Sequence, residues 1–372
     1  MQVKRAGLLL LVFLFSLTVH AELDDSLSIG ATAYLQTDGA DHIGGNPKLD
    51  EDEFVFEGIM ILNKTLSERD KLNVKLLGDL ISSASETRLF NPQFRALQSG
   101  ASGNKRIATD IGYAHRFDGF TMGVHGGYSY EADIYMSWPY GVNFGIPMMG
   151  GNSVLGIRLD GYTDYFLNKY YNGTTHGYAY RQTISTEGSL TQVLSPLDIL
   201  NLTLTYIFQT GTLQTSYYSV FLNNVEQREI MPPQRHRGAV SARWKHSISP
   251  MNTLELGYRF YGDTWNIYSH TAEVKLFQYF FAKRFLLEPS VRFYTQTGAY
   301  FYERAFATLP TYRTSDTDLG PFTGAIFGLG ASLIRPPFFP FWLDNVAITG
   351  NYWLRDDGFQ VYWFDMSVLS RF

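Results

Sequence analysis

Apolar and polar residues alternate along this chain in runs of ten to twelve, separated by turn residues. In DILNLTLTYIFQ, Leu200, Leu202, Leu204, Tyr206 and Phe208 oppose Asn201, Thr203, Thr205 and Gln209. In TLELGYRFYG, Leu254, Leu256, Tyr258 and Phe260 oppose Glu255, Gly257, Arg259 and Tyr261. KLNVKLLGDL sets Leu72, Val74, Leu76 and Leu80 against Asn73, Lys75 and Asp79. A period of two sends successive side chains to opposite faces of a strand. Runs this long exceed an ordinary soluble strand and suit a tilted strand crossing a bilayer. About sixteen such segments are predicted. They fall at 27–37, 54–65, 71–82, 106–117, 120–131, 133–146, 153–164, 184–194, 199–209, 237–248, 253–263, 267–278, 285–297, 322–334, 344–355 and 359–371.

The connections sort by length. SERD (67–70), DG (118–119), MMGGN (148–152), SPLD (195–198), SPMN (249–252), FFAKR (280–284) and RPPFFPFW (335–342) are short. The segments near 38–52, 84–105, 165–183, 210–236 and 298–321 are long. Tracing up and down from the inside places every one of these short connections on the periplasmic side, as in outer-membrane barrels. The predicted fold is therefore all-β, a transmembrane antiparallel up-and-down β-barrel preceded by a cleaved signal peptide.

The leader MQVKRAGLLLLVFLFSLTVHA has basic Lys4 and Arg5, then an apolar run from Ala6 to Val19 that is short for a bilayer span. Cleavage is expected after Ala21, giving a signal peptide over 1–21 and a barrel over 22–372. A retained N-terminal anchor is the alternative. The chain ends in YWFDMSVLSRF, where Tyr362, Phe364, Met366, Val368 and Phe372 share a face that Ser370 interrupts. A terminal aromatic residue on such a strand resembles the signal read by the outer-membrane barrel-assembly machinery, so Phe372 is the candidate assembly signal and that machinery an expected partner. A soluble β-sandwich is the competing fold, but exposed apolar faces on so many long strands would aggregate in water.

Composition narrows the chemistry. The 372 residues contain no cysteine, which excludes disulfides, a thiolate nucleophile, Cys-ligated metal and a lipid anchor on Cys. Aromatic residues reach 16%, a content that suits wide interfacial belts in contact with outer-membrane lipid and lipopolysaccharide. Charged residues are 17% and the net charge is −5, neither disordered nor nucleic-acid-binding in character.

The charges in YRFYGDTWNIYSHTAEVKL (258–276) then need a face. With Leu256, Tyr258 and Phe260 toward lipid, Arg259 and Asp263 point into the lumen. On the next two strands Glu273 and Lys275, then Glu288, Arg292, Tyr294 and Gln296, point inward as well. On the lipid face a central Arg would cost about 2–4 kcal/mol. In the lumen, opposite charges on neighbouring strands pair instead. The expectation is an alternating ladder Arg259–Glu273–Arg292, with Lys275 near Glu255 and Glu288 and Asp263 near the outer rim. It either stiffens the wall or lines a polar path.

The same region carries a resemblance. GSLTQVLSPLDILNLTLTY (188–206), RHRG (235–238), YRFYGDTWNIYSHTAEV (258–274) and PSVRFYTQTGAYFY (289–302) resemble a bacterial outer-membrane family catalogued as a domain of unknown function. Its Tyr-Arg-x-Tyr-x-Asp-x-Trp-x-x-x-Ser-His-Thr segment matches Tyr258, Arg259, Tyr261, Asp263, Trp265, Ser269, His270 and Thr271. Its Arg-x-Tyr-x-Gln-x-x-Ala-x-Phe-Tyr segment matches Arg292, Tyr294, Gln296, Ala299, Phe301 and Tyr302. Members often carry Asp-Asp-Trp-Gly where this chain has Gly262-Asp263-Thr264-Trp265-Asn266, so the outer turn is expected to differ. The resemblance implies a Gram-negative outer-membrane barrel with no established activity. Some relatives are encoded beside redox or flavin-transfer proteins, which implies a small periplasmic or lipoprotein partner as a candidate.

Other chemistry is weaker. Ser269 and His270 are adjacent on a strand and point apart, so they do not form a nucleophile–base pair. His42, His115, His125, His176, His236 and His246 show no metal spacing. No cofactor, metal or catalytic residue is assigned. LDEDEF (49–54) reads as a solvated acidic loop or a divalent-cation site. In PPQRHRG (232–238), Arg235 and Arg237 are candidates for the outer rim or for lipopolysaccharide phosphate, with inward pairing of Arg237 equally open. Pro289 cannot donate to a ladder and is expected at a strand start or bulge. The leading functional expectation is a porin-like passive channel for small polar solutes. The alternatives are a non-conducting structural or partner-binding barrel and, less favoured, an outer-membrane enzyme.

Overall fold

The computed structural model describes residues 25–37, 53–81, 104–131, 135–169, 174–214, 219–223, 225–335 and 343–372. The signal segment, the whole 38–52 connection with Leu49 to Asp52 of the acidic loop, most of the 84–105 connection and residues 336–342 lie outside these residues. Sixteen antiparallel strands close one barrel. In chain order they begin with β1 (Ser26–Thr37), β2 (Glu53–Thr65), β3 (Asp70–Ile81), β4 (Asn104–Arg116), β5 (Thr121–Glu131) and β6 (Tyr135–Met148). Then come β7 (Ser153–Lys169), β8 (Thr175–Ser195), β9 (Asp198–Gly211), β12 (Gln234–Ser249), β13 (Asn252–Asp263) and β14 (Tyr268–Phe280). β15 (Phe285–Gln296), β16 (Phe322–Ile334), β17 (Leu343–Arg355) and β18 (Gln360–Arg371) complete the wall. Pairing of β18 with β1, from Ser26 opposite Arg371 to Thr37 opposite Gln360, shuts the cylinder, so the last strand has no free edge.

Two features depart from the expected strands. β8 begins at Thr175 rather than 184, and β7 runs to Lys169, so this hairpin projects further on the long-loop side. Tyr and Thr occupy both faces there, which blurs the alternation. The 210–236 connection also carries a small hairpin of its own, β10 (Ser219–Leu222) with β11 (Val225–Arg228), outside the barrel wall.

Three short turns share a device that their sequences spell. In SERD, Ser67 bonds to Asp70 and accepts from the Arg69 amide at 3.1 Å. In SPLD, Ser195 donates to Asp198 at 2.6 Å and accepts from the Leu197 amide at 3.1 Å. In SPMN, Ser249 accepts from Asn252 at 3.0 Å and from the Met251 amide at 3.3 Å. The serine satisfies turn amides that the ladder leaves open. Each aspartate also collects a histidine and an aromatic donor from the neighbouring strand. Asp70 takes His115 at 2.7 Å and the Tyr113 hydroxyl, and Asp198 takes His246 at 2.8 Å and the Trp244 indole at 3.0 Å. The turn serine hydroxyl first, and then these donors, hold both turn carboxyls below the usual carboxylate range.

At the opposite end the outward face is aromatic. Tyr128, Trp138, Tyr165 and Tyr180, on four successive strands, touch ring to ring with centroids 5.3–5.7 Å apart. Further round, the Tyr206 hydroxyl meets His236 Nδ1 and the Tyr258 hydroxyl meets His270 Nδ1, each at 2.7 Å, with Phe208 and Phe260 against the imidazoles. This band has the character of an interfacial belt. Pro289 lies at neither a strand start nor a bulge. It sits inside β15, where the ladder to β14 lapses between Lys275–Ser290 and Gln278–Leu287 and resumes in the same register. The missing amide thus costs local pairing without shifting the strand.

Candidate functional site on the inner wall and its outer cap

Arg259, Glu273, Lys275, Glu288, Arg292, Tyr294 and Gln296 sit on the inner face. Their strand neighbours Tyr258, Phe260, Val274, Val291 and Phe293 are exposed on the outer one. Glu273 lies directly opposite Arg292, whose Nη2 reaches the carboxylate at 3.0 and 3.1 Å. Lys275 pairs with Glu288 at 2.8 Å. Glu255, opposite Lys275 in register, instead takes Lys245 at 3.1 Å and Arg243 at 3.3 Å from β12. The three-membered ladder does not form. The register puts Gly257 against Glu273 and leaves Arg259 opposite Thr271 on one side and Ser241 on the other. Among the described residues, the Arg259 side chain has no ion pair or hydrogen bond; its guanidinium carbon lies 5.7 Å from the centroid of the Tyr261 ring.

Arg235 stands at the outer rim, paired rather than open to lipopolysaccharide phosphate. It is buried, pairs with Asp263 through two nitrogens and lies over the Trp265 ring at 4.1 Å. Asp263 is at the outer rim, as its position in β13 implies, and fully enclosed. It also accepts from the Tyr261 hydroxyl at 2.7 Å and from the Trp265 and Ile267 amides at 2.9 and 3.0 Å. Five such donors leave the carboxylate few lone pairs unsatisfied, which is how a buried charge is tolerated. Arg237 turns inward and donates to Gln209. Phe372 is exposed, its amide donating to the Asp25 carbonyl at 2.9 Å and its ring lying 5.6 Å from Lys64 Nζ.

The Asp263 knot anchors a cap. Trp265 packs with Leu213, Met231, Ile267, Ala299, Phe301 and Leu319, gathering the 212–233 and 298–321 segments around the β13–β14 turn. Isolated bridges Leu222–Phe306 and Ile230–Arg313 stitch the two segments together. Inner-wall side chains hold the cap from below. Tyr294 donates to Gln296 at 2.5 Å, and Gln296 donates to the Asp318 and Gly320 carbonyls at 2.9 and 2.6 Å. Arg355, with no side-chain exposure, pairs with Asp318 at 2.7 Å and with Asp357, and stacks on Phe322 at 3.8 Å. The 298–321 segment is thus tied to lumen-side groups at the rim rather than lying back over the lipid-facing surface.

The other half of the lumen holds a group that sequence spacing did not reveal. His125 bridges two carboxylates: Nδ1 lies 2.9 Å from Asp110 and Nε2 lies 2.9 Å from Asp160. Arg158 Nε donates to the second oxygen of Asp160 at 2.6 Å. The imidazole starts on β5 and must cross β6 to reach β7. It does so over Gly141, which stands in register between His125 and Asp160. A Cβ on Gly141 would lie 2.4 Å from His125 Nε2 and 2.5 Å from Asp160 Oδ1. The available signal was parity: His125 falls on the inner face amid Gly123, Gly127 and Gly141, a stretch with no side chains to keep a ring upright. Ser269 is buried on the inner face and His270 is exposed on the outer one. Among the described residues no cluster of three or more His, Asp and Glu is arranged to hold a metal ion.

This geometry gives the comparisons their setting. Residues 160–334 match the family described as "Protein of unknown function (DUF3570)". The matched DUF3570 region begins at Asp160, ends with β16, and contains Arg259, the Glu273–Arg292 pair, the Asp263 knot and the cap segments; it does not contain His125. No curated protein matches the chain. Among solved structures, a "Bacterial polysaccharide outer membrane secretin" superimposes with a TM-score of 0.52 at 9% identity, over 95% of this chain and 100% of that one. Two others are more distant. OccK2 (OpdF) of Pseudomonas aeruginosa in complex with glucuronate gives 0.44 at 9% identity, over 94% and 98% of the two chains. The siderophore receptor PirA of Acinetobacter baumannii gives 0.46 at 12% identity over 90% of this chain, which spans about half, 53%, of the receptor. The fold is that of bacterial outer-membrane β-barrels.

Proposed function

We propose that the chain resides in the bacterial outer membrane and passes small polar solutes passively through its lumen. The observation that carries this reading is the inner wall. It presents charges of both signs around the circumference, joined strand to strand at Glu273–Arg292, Lys275–Glu288, Lys245–Glu255 and Asp110–His125–Asp160. Polar groups on the inside and an apolar aromatic outside suit water within and lipid without. Barrels of this strand number leave an aqueous channel where eight-stranded ones are filled by side chains. Outer-membrane lipid and lipopolysaccharide surround the aromatic belt in this reading, and the barrel-assembly machinery engages the strand ending at Phe372.

The cap favours a second reading. Because Arg355 and Gln296 tie 298–321 to lumen-side groups, the same contacts support a barrel closed by its own loops, whose role would be to bind a small periplasmic or lipoprotein partner. Single-channel recording of the folded chain in a planar bilayer separates the two. Steady conductance supports passage. A folded but electrically silent barrel overturns it and favours the partner-binding alternative.

A further inference from the structure

Cross-strand register aligns six inner-wall residues of one row. Ser189 on β8 lies opposite Thr203 on β9, Thr203 opposite Ser241 on β12, and Ser241 opposite Arg259 on β13. Arg259 lies opposite Thr271 on β14, and Thr271 opposite Tyr294 on β15. Every member but one is a hydroxyl. On its own strand Arg259 is preceded on the inner face by Gly257, which has no side chain. The guanidinium therefore rises from a floor of short polar groups.

The basic residues around it differ. Arg292 has Glu273, Lys275 has Glu288, Arg243 and Lys245 share Glu255, and Arg235 has Asp263. Arg259 has no such partner among the described residues. The nearest inner-wall carboxylate on an adjoining strand, Glu273, is already taken. Glu187, on β8, acts on Arg259 through space but forms no ion pair with it. A half-buried guanidinium with its fork of donors unused fits a planar oxyanion bidentately. The hydroxyls beside it can exchange hydrogen bonds with those of a solute as readily as with water.

We propose that Arg259 is the specificity-determining residue of the lumen and that the hydroxyl row makes the favoured solute a small hydroxylated carboxylate. This rests on the passage reading above and names its solute class. The carboxylate binds the guanidinium while a solute hydroxyl bonds to Ser241 or Thr271, which flank Arg259 on the adjoining strands.

Two measurements test it. In proteoliposomes, swelling rates are compared for sodium L-lactate and for propane-1,2-diol, which keeps lactate's hydroxyl and replaces its carboxylate with a neutral hydroxymethyl group. The expected result is a preference for lactate that falls about fivefold in Arg259→Gln, the upper range for an exposed ion pair, while the diol rate holds. Arg259→Lys should recover part of the preference, since it keeps the charge and loses the fork. An unchanged lactate-to-diol ratio in Arg259→Gln overturns the proposal. The second measurement does not need passage. Phenylglyoxal labelling of the folded barrel, read by peptide mass spectrometry, should modify Arg259 ahead of Arg292 and Arg235, and lactate should slow it. Protection in a barrel that swells with neither solute retains the binding site and removes the channel. Labelling of Arg259 no faster than Arg292, or no slower with lactate, overturns the site even if the barrel conducts.

Discussion

Replacing Gly141 with alanine tests whether the His125 bridge shapes the barrel wall. The new Cβ would lie 2.4 Å from His125 Nε2, 2.5 Å from Asp160 Oδ1 and 2.8 Å from the Leu159 carbonyl. The first two atoms belong to side chains and can move, but only by breaking the 2.9 Å contact between them. The third is backbone, so the strand itself must shift. Losing one hydrogen bond to a charged group costs about 1.5–3 kcal/mol. Residual overpacking adds about 1–3 kcal/mol, against which alanine's smaller unfolded-state entropy offsets about 0.5–1. The expected net loss is about 3 kcal/mol. It is measured by denaturant unfolding from lipid vesicles, with Gly188→Ala as the control because nothing lies within 4 Å of a Cβ there. A cycle with His125→Ala sharpens the assay. With the imidazole gone, Gly141→Ala should cost markedly less, giving a coupling of opposite sign to the single losses. Equal stability of Gly141→Ala and Gly188→Ala would refute the reasoning, as would a His125→Ala background that leaves the cost unchanged.

Other perturbations read other parts of the molecule. Arg355→Met leaves Asp318 and Asp357 without their cation and should cost about 3–5 kcal/mol, the range for breaking a buried pair. Limited proteolysis should then cut within 298–321 first, and an undisturbed cap would count against the latch. The Glu273–Arg292 pair has an arginine 39% exposed to the lumen, so a double-mutant cycle with glutamines should return no more than about 1 kcal/mol. A coupling above ~2 kcal/mol would mean the pair is far less solvated than its exposure implies. Asp70 has a carboxyl held low by Ser67, Tyr113 and His115, so its contribution to stability is present above the unfolded carboxylate pKa of about 3.9 and is lost as pH falls through the lower folded value. Acid unfolding of Asp70→Asn should be correspondingly flatter below about pH 4 than that of the parent chain; coincident curves would contradict the assignment.

The sequence alone determined the wall. Period-two alternation settles which residues face lipid, because an inverted register would place Arg259, Glu273 and Arg292 in hydrocarbon. Turn chemistry such as Ser67–Asp70 and Ser195–Asp198 marks the short ends, since each serine satisfies its own turn without help from elsewhere. Even the position of Asp263 at the rim follows from counting along one strand. What only the tertiary structure decided is which inward residues meet. That depends on the stagger between strands, and alternation is blind to a shift of two. Such a shift separates Arg259 from Glu273 while keeping both in the lumen. It also places Gly141 between His125 and Asp160, so that an imidazole reaches across a whole strand. The cap was beyond reach for a different reason. Residues 212–233 and 298–321 carry no periodicity, and Arg235 looked like a surface cation until Trp265 and Asp263, brought from another strand and its turn, enclosed it. Local pattern records the environment on either side of a strand; it does not record which distant segment supplies the partner.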